Sequence, residues 1–165
     1  SSYILLCFFC AQFTSYFAWS NLGAVLAIKG AGLLQDLNFT GVPLIISLVI
    51  VSSIVNIFIG SASAKWAILA PVMVPMMMIL GYDPAVTQVA YRIGDSISNP
   101  LSPLFYYFPL ILGFVRRYEK DTGMGTVIAN MLPYSISFTI VWLVMLAVWV
   151  ILDLPLGPGG FIHLG

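Results

Sequence analysis

The chain has 165 residues, of which 61% are hydrophobic and 7% charged, with six acidic and six basic side chains and a formal net charge of zero. Soluble domains carry about a quarter charged residues, and a small fold leaves much of its surface in water, so this composition excludes a soluble globular domain and implies an all-α integral membrane protein. With no basic run beyond "RRYEK", nothing supports nucleic-acid binding.

Residues 3–28 carry no charge and are long enough to cross a bilayer as one tilted helix, which takes about 20 apolar residues. Gln12, Thr14, Ser15, Ser20 and Asn21 give that helix one face suited to protein contact. Cys7 and Cys10 form a C-x-x-C there, read as two small apolar residues on one face, because a redox or metal motif wants a polar pocket or a helix N-terminus. The chain begins inside an apolar run without Met, and is read as the C-terminal part of a longer protein. "KGAGLLQDLNFTG" is expected to be an interfacial loop; its Asn38-Phe39-Thr40 matches a glycosylation acceptor, relevant only in a secretory context.

Residues 41–80 are apolar but interrupted by "GSASAKWA". Two full spans joined by a tight turn would satisfy this pattern. A re-entrant hairpin with its tip at 60–66 satisfies it better, because each arm is near or below a full span. Non-helical backbone at membrane depth is tolerated only against protein or a water-filled cavity. Pro71 and Pro75 are expected to kink the returning arm. "GYDP" is a turn, and Pro84 suits the first turn of the next helix. Residues 84–115 are expected to form a discontinuous transmembrane helix broken at 98–103, since Pro100 and Pro103 remove backbone donors and push the preceding residues out of the α region. A solvated loop follows, then an uncharged span over 124–152 kinked at Pro133, then an irregular Gly/Pro-rich tail over 153–165 in which His163 has no metal role. The clustered Arg116, Arg117 and Lys120 place the 116–123 loop in the cytoplasm and the tail on the periplasmic side.

Lys65, Arg92 and Asp95 lie inside apolar segments of membrane length. A charge at mid-bilayer costs about 3 kcal/mol on insertion scales, so each is a candidate for function. A plain structural pair between Arg92 and Asp95, at i and i+3, is the competing reading. The spacing of Gln88, Arg92, Asp95 and Asn99 makes one polar stripe leading into the break. Freed carbonyls and a carboxylate there suit Na⁺ or a proton relay at Asp95, while Arg92 suits a substrate carboxylate. At the other break, Asn56 precedes the tip, Ser61 and Ser63 add hydroxyls, and Trp66 offers an aromatic surface with one N–H donor. Lys65 either snorkels or binds an anion. The Met-rich run 73–78 reads as flexible packing. No nucleophile–base set, zinc motif or phosphate loop is present in the sequence, which points away from an enzyme.

A hairpin, a broken helix and a closing helix make up one half of an inverted-repeat secondary transporter. The stretches "IGSASAKWAILAPVMVPMM", "YRIGDSISNPLSPLFYYFPLIL" and "TGMGTVIANMLPYS" resemble the C-terminal half of the AbgT family of p-aminobenzoyl-glutamate transporters, over nearly the whole chain. The resemblance implies a bacterial inner-membrane protein, a homodimer, whose N-terminal repeat completes the site. It puts the family's hairpin serine and tryptophan on Ser63 and Trp66, its asparagine near the cation site on Asn56, and its helix-entry proline on Pro84. The family's arginine, aspartate, asparagine and later proline fall on Arg92, Asp95, Asn99 and Pro103. Substrate contacts are then expected from Ser63, Trp66, Arg92 and Asn99, and a cation site or proton relay from Asp95, Asn56, Ser61 and Asn99, with Na⁺ between Asn56 and Asp95. No cofactor is expected beyond Na⁺ or H⁺ as coupling ion. The substrate is expected to be p-aminobenzoyl-glutamate or a related aromatic dicarboxylate, moved across the membrane in a direction the sequence leaves open, with proton-driven sulfonamide efflux as the alternative; a passive channel or a non-transporting subunit are the other readings.

Overall fold

A computed structural model describes residues 8, 9, 11, 12, 15, 16, 19–59, 61–105 and 107–164. Cys7, Cys10, Thr14 and the Gly60 of the expected tip lie outside the described residues. The elements are α1 (Leu22–Asp36), α2 (Val42–Phe58), α3 (Ala62–Ile79), α4 (Pro84–Ser98), a 3₁₀ turn (Asn99–Leu101), α5 (Phe108–Val115) and α6 (Met124–Ile151). The described residues contain no β-strand, only two isolated bridges. α3 and α6 are each long and apolar enough to cross a membrane, and α2 is a shorter apolar helix.

The first departure from the sequence reading is at the N-terminal span. An unbroken helix over 3–28 is interrupted at Ser20 and Asn21, where Asn21 takes φ 52°, a left-handed conformation that asparagine tolerates better than most residues. The helix then restarts at Leu22 and runs through Asp36, so most of the expected interfacial loop is helical. Its Ala- and Leu-rich composition outweighs the cost of Gly30 and Gly32. Only Leu37–Gly41 remains as a turn, with Asn38 and Gly41 at positive φ.

The pairing of α2 with α4 holds the molecule together. Between lipid-solvated helices there is little hydrophobic drive, so close approach and interhelical hydrogen bonds must do the work. Both are present. Gly94 lets the helices touch: a Cβ there would stand 2.6 Å from the Val49 carbonyl oxygen and 2.8 Å from Ser52 Cβ. Along the same seam Ser52 donates to the Tyr91 carbonyl (3.1 Å), Ser53 to the Gly94 carbonyl (3.2 Å) and Asn56 to the Asp95 carbonyl (3.2 Å). Leu44, Ile45, Leu48 and Val49 bury against Val86, Ala90, Ile93 and Ile97 beside them.

The two ends of the α2–α3 pair meet, since the Gly41 amide donates to the Tyr82 hydroxyl at 2.6 Å. Asp83 caps α4 by accepting from the Ala85 amide (2.8 Å), with Pro84 in the first turn as its fixed φ favours. Neither Pro71 nor Pro75 interrupts α3, and Pro133 does not interrupt α6.

The second arm of the expected broken helix is shorter than the sequence suggested. Helix resumes at Phe108 rather than near Leu101, and α5 has 8 residues, about 12 Å. Pro100 sits in the 3₁₀ turn, and Ser102–Phe105, around Pro103, is non-helical, so the gap in α-helix begins after Ser98 and outlasts residue 103. The tail has no regular element but is docked: Ile162 is buried, the Asp83 amide donates to its carbonyl (3.1 Å), the Leu164 amide donates to the Gly81 carbonyl (3.0 Å), and His163 lies against the Tyr82 ring.

Gly94→Ala is expected to cost about 1–3 kcal/mol by overpacking the α2–α4 contact. Gly113→Ala in α5, where a Cβ would meet nothing within 4 Å, is expected to gain up to about 1 kcal/mol of helix propensity. Melting temperatures of the two variants in detergent check the contrast.

Candidate functional site

The cation in this fold is supplied by the protein itself. Lys65, in the first turn of α3, places Nζ 2.5 Å from Asp95 Oδ1 of α4 and 2.6 Å from Asn56 Oδ1 of α2. Lys65 is 0% exposed and Asp95 7%, and theirs is the one ion pair among the described residues. Burying two charges is costly unless geometry and extra hydrogen bonds compensate. Asn56 provides those: its amide oxygen takes the ammonium, while its Nδ2 faces the Asp95 carbonyl, Ser98 Oγ (2.9 Å) and Asn99 Oδ1 (3.0 Å). Three helices and the turn after Ser98 therefore converge on one buried polar knot. The last turn of α4 is further held from outside, because Ser135 of α6 donates to the Ile97 carbonyl.

Next to the knot is a pocket of about 150 Å³, lined by Ala62, Ser63, Trp66, Gln88, Tyr91 and Arg92. Trp66 and Tyr91 form its aromatic corner, their ring centroids 4.8 Å apart. The Tyr91 hydroxyl donates to the Ala62 carbonyl at 2.5 Å, tying α4 to the first turn of α3. Lys65 Nζ lies 5.0 Å from the Tyr91 ring centroid, so the same ring both lines the pocket and contacts the buried ammonium. Arg92 is exposed, and its guanidinium makes no hydrogen bond or ion pair among the described residues; its carbonyl accepts from Ser96 Oγ at 2.8 Å. It also lines a larger cavity of about 440 Å³ that runs between α4, Trp142 and the tail at Leu156–Gly160.

The candidates from the sequence divide cleanly. Ser63, Trp66 and Arg92 come together at the small pocket. Asn56, Asp95 and Asn99 come together at the knot. Asn99 does not line the small pocket; it lines a separate, mostly apolar cavity with Pro100 and Phe108. Ser61 joins neither group: its hydroxyl accepts from the Ala64 amide at 3.4 Å and caps α3. Pro84 starts α4, and Pro100 and Pro103 lie within the break. The i, i+3 pair between Arg92 and Asp95 does not form, because Asp95 turns into the α2–α3 side and takes Lys65. Nor does Lys65 snorkel. Na⁺ does not fit between Asn56 Oδ1 and Asp95 Oδ1 as they stand, since both oxygens already hold the ammonium. Tyr91 was missed, although Gln88, Tyr91, Arg92 and Asp95 follow an i, i+3, i+4, i+7 pattern that marks one helical face.

Comparison with known proteins agrees with this architecture. The model of the family described as "AbgT putative transporter family" matches residues 1–164. The chain belongs to the AbgT family. A p-aminobenzoyl-glutamate transport protein of Escherichia coli (strain K12) is 43% identical over 159 residues, covering 96% of this chain and 31% of that protein. The crystal structure of the Alcanivorax borkumensis YdaH transporter, described as having an unusual topology, superposes with a TM-score of 0.85 at 51% identity, over 95% of this chain and 34% of YdaH. MtrF of Neisseria gonorrhoeae, described as illuminating a class of antimetabolite efflux pumps, superposes with a TM-score of 0.81 at 45% identity, over 97% of this chain and 32% of MtrF. The chain thus spans about a third of the length of these AbgT relatives, and it is a helical membrane protein of a transporter family.

Tyr91→Phe keeps the ring contact with Trp66 and loses the hydrogen bond to Ala62; a loss of about 1 kcal/mol is expected. Tyr91→Ala also removes the aromatic corner and the face over Lys65, and is expected to cost about 3–5 kcal/mol. Thermal melting of both variants in detergent checks the order.

Proposed function

We propose that this chain is the C-terminal repeat of a secondary active transporter that moves p-aminobenzoyl-glutamate, or a related aromatic dicarboxylate, across the bacterial inner membrane, driven by a Na⁺ or H⁺ gradient. One observation carries the reading: Ser63, Trp66, Gln88 and Arg92 surround a single pocket beside a buried carboxylate, Asp95. An aromatic ring fits the Trp66–Tyr91 corner, and a substrate carboxylate fits the unpaired Arg92 guanidinium. An H⁺ gradient acts through Asp95, whereas a Na⁺ gradient needs a seat other than the Asn56–Asp95 one that Lys65 fills.

Helix lengths support a re-entrant hairpin and a broken span. α2 and α3 have 17 and 18 residues, about 26 Å each, at the lower limit of what crosses a hydrocarbon core of about 30 Å. Their far ends reach only the end of α4. α6 gives an independent ruler: Ser135, which bonds the last turn of α4, lies about 17 Å from the basic-loop end of α6 and about 24 Å from its tail end. The turns at Gly41 and Gly81–Asp83 and the tail meet at one end. The Arg116–Lys120 loop lies at the other end of the 28-residue α6. That grouping accords with a cytoplasmic 116–123 loop and a periplasmic tail. The first repeat of the same transporter and a second protomer complete the working unit.

The alternative of antimetabolite efflux rests on the likeness to MtrF. Proteoliposomes with imposed Na⁺ or H⁺ gradients distinguish the two by the direction of labelled p-aminobenzoyl-glutamate or sulfonamide flux. Asp95→Asn is expected to abolish gradient-driven flux while the protein still reaches the membrane; normal flux in that variant would remove Asp95 from the mechanism. Trp66→Ala is expected to weaken binding of the aromatic substrate by roughly one to two orders of magnitude, as loss of a buried aromatic contact worth about 1–3 kcal/mol implies. An unchanged affinity would reduce Trp66 to packing.

A further inference from the structure

The seat between Asn56 and Asp95 has the chemistry of a cation site, and the cation in it is covalently part of the chain. Lys65 Nζ touches Asn56 Oδ1 at 2.6 Å and Asp95 Oδ1 at 2.5 Å, and the residue is fully buried. Every group around it is accounted for. Asp95 supplies the negative charge and Asn56 a neutral oxygen, while the Tyr91 ring covers the ammonium on the pocket side. Arg92, on α4, lines the two cavities instead. A free metal ion needs those same two oxygens at a similar distance, so it and the ammonium cannot share them.

We propose that Lys65 is the resident cation of the Asp95 site and the residue that determines its ion specificity: its ammonium keeps Na⁺ out of the seat formed by Asn56 and Asp95. This deepens the transporter reading, on which it rests for its significance, by naming what neutralises the membrane-embedded carboxylate. Lys65 acts as a positioning residue. It draws α2, α3 and α4 together, and it stands one residue before Trp66, so the occupant of the seat fixes the aromatic corner of the pocket. Lys65→Met shortens the side chain by one atom and removes its charge, which vacates the ammonium position beside the buried carboxylate, and a small monovalent cation can enter it.

The test uses the purified full-length protein in detergent, at constant ionic strength, with NaCl titrated against choline chloride. The readouts are ²²Na⁺ binding and melting temperature, since a ligand that binds only the folded state raises it. Lys65→Met is expected to bind Na⁺ at least tenfold more tightly than wild type and to gain a Na⁺-dependent melting temperature. Both gains are expected to vanish in the Lys65→Met/Asp95→Asn double variant, and Lys65→Arg, which keeps a cation, is expected to behave as wild type. Equal Na⁺ affinity in wild type and Lys65→Met, or a Lys65→Met protein indifferent to Na⁺, overturns the proposal. Should Lys65→Met not survive purification, the wild-type background decides: Asp95→Asn must leave ²²Na⁺ binding unchanged, and a loss of binding overturns the proposal. These measurements need no transport, so absent uptake alongside the expected Na⁺ results would sink the transporter reading and leave this one standing.

Discussion

A buried ammonium held between a carboxylate and an amide is the constraint on which this fold depends. Lys65, Asp95 and Asn56 come from three different helices, and none could be tolerated alone in an apolar surrounding, where an unpaired charge costs several kcal/mol. Their mutual satisfaction fixes how deep α3 starts relative to the end of α4. It also fixes the rotation of α2, because the Asn56 amide must present its oxygen to the ammonium and its nitrogen to the turn after Ser98. The serines earlier on α2 and the missing side chain at Gly94 then let the remaining length of the two helices close up.

Around that knot the molecule separates two kinds of chemistry that share a wall. On one side are the ionised groups, out of contact with water. On the other are an aromatic corner and an unpaired guanidinium, open to a cavity. Tyr91 is the wall, with its hydroxyl anchored to the backbone of α3 and its ring between the two compartments. AbgT relatives that share this stretch at 43–51% identity are described as transporters, which matches a design in which a charge site and a binding pocket are mechanically joined.

Much of this was legible in the sequence, for reasons that differ by residue. The helices from Val42 to Ile79 and the short interruption between them followed from apolar run lengths and a cluster of small residues. Pro84, with its fixed φ, marked the start of α4, and Asn56, Ser63, Trp66, Arg92 and Asp95 stood out because charge and polarity are costly in such a run. The pairing of Asp95 did not follow, because local spacing favours Arg92, three residues away, while Lys65 is thirty residues distant and reaches Asp95 only through the tertiary approach of α3 to α4. The break at Asn21 depends on one left-handed residue that periodicity does not register. The docking of the tail depends on Ile162, a single apolar side chain in a Gly/Pro-rich segment whose composition suggests no structure. Ser61 was given a chemical part because of its position at the tip, where capping a helix needs the same hydroxyl.

Lys65 and Trp66 are consecutive residues in the first turn of one helix, about 100° apart around its axis, with one side chain in the ion knot and the other in the pocket wall. A rigid helical turn has no slack between neighbouring residues, so the two compartments cannot be re-tuned separately. Any substitution that shifts the tip to suit a differently shaped ring also displaces the charge seated beside it. Members of the family that change their cargo are therefore expected to carry compensating changes among the oxygens facing position 65, and directed evolution toward new aromatic substrates should sample both sets of positions together.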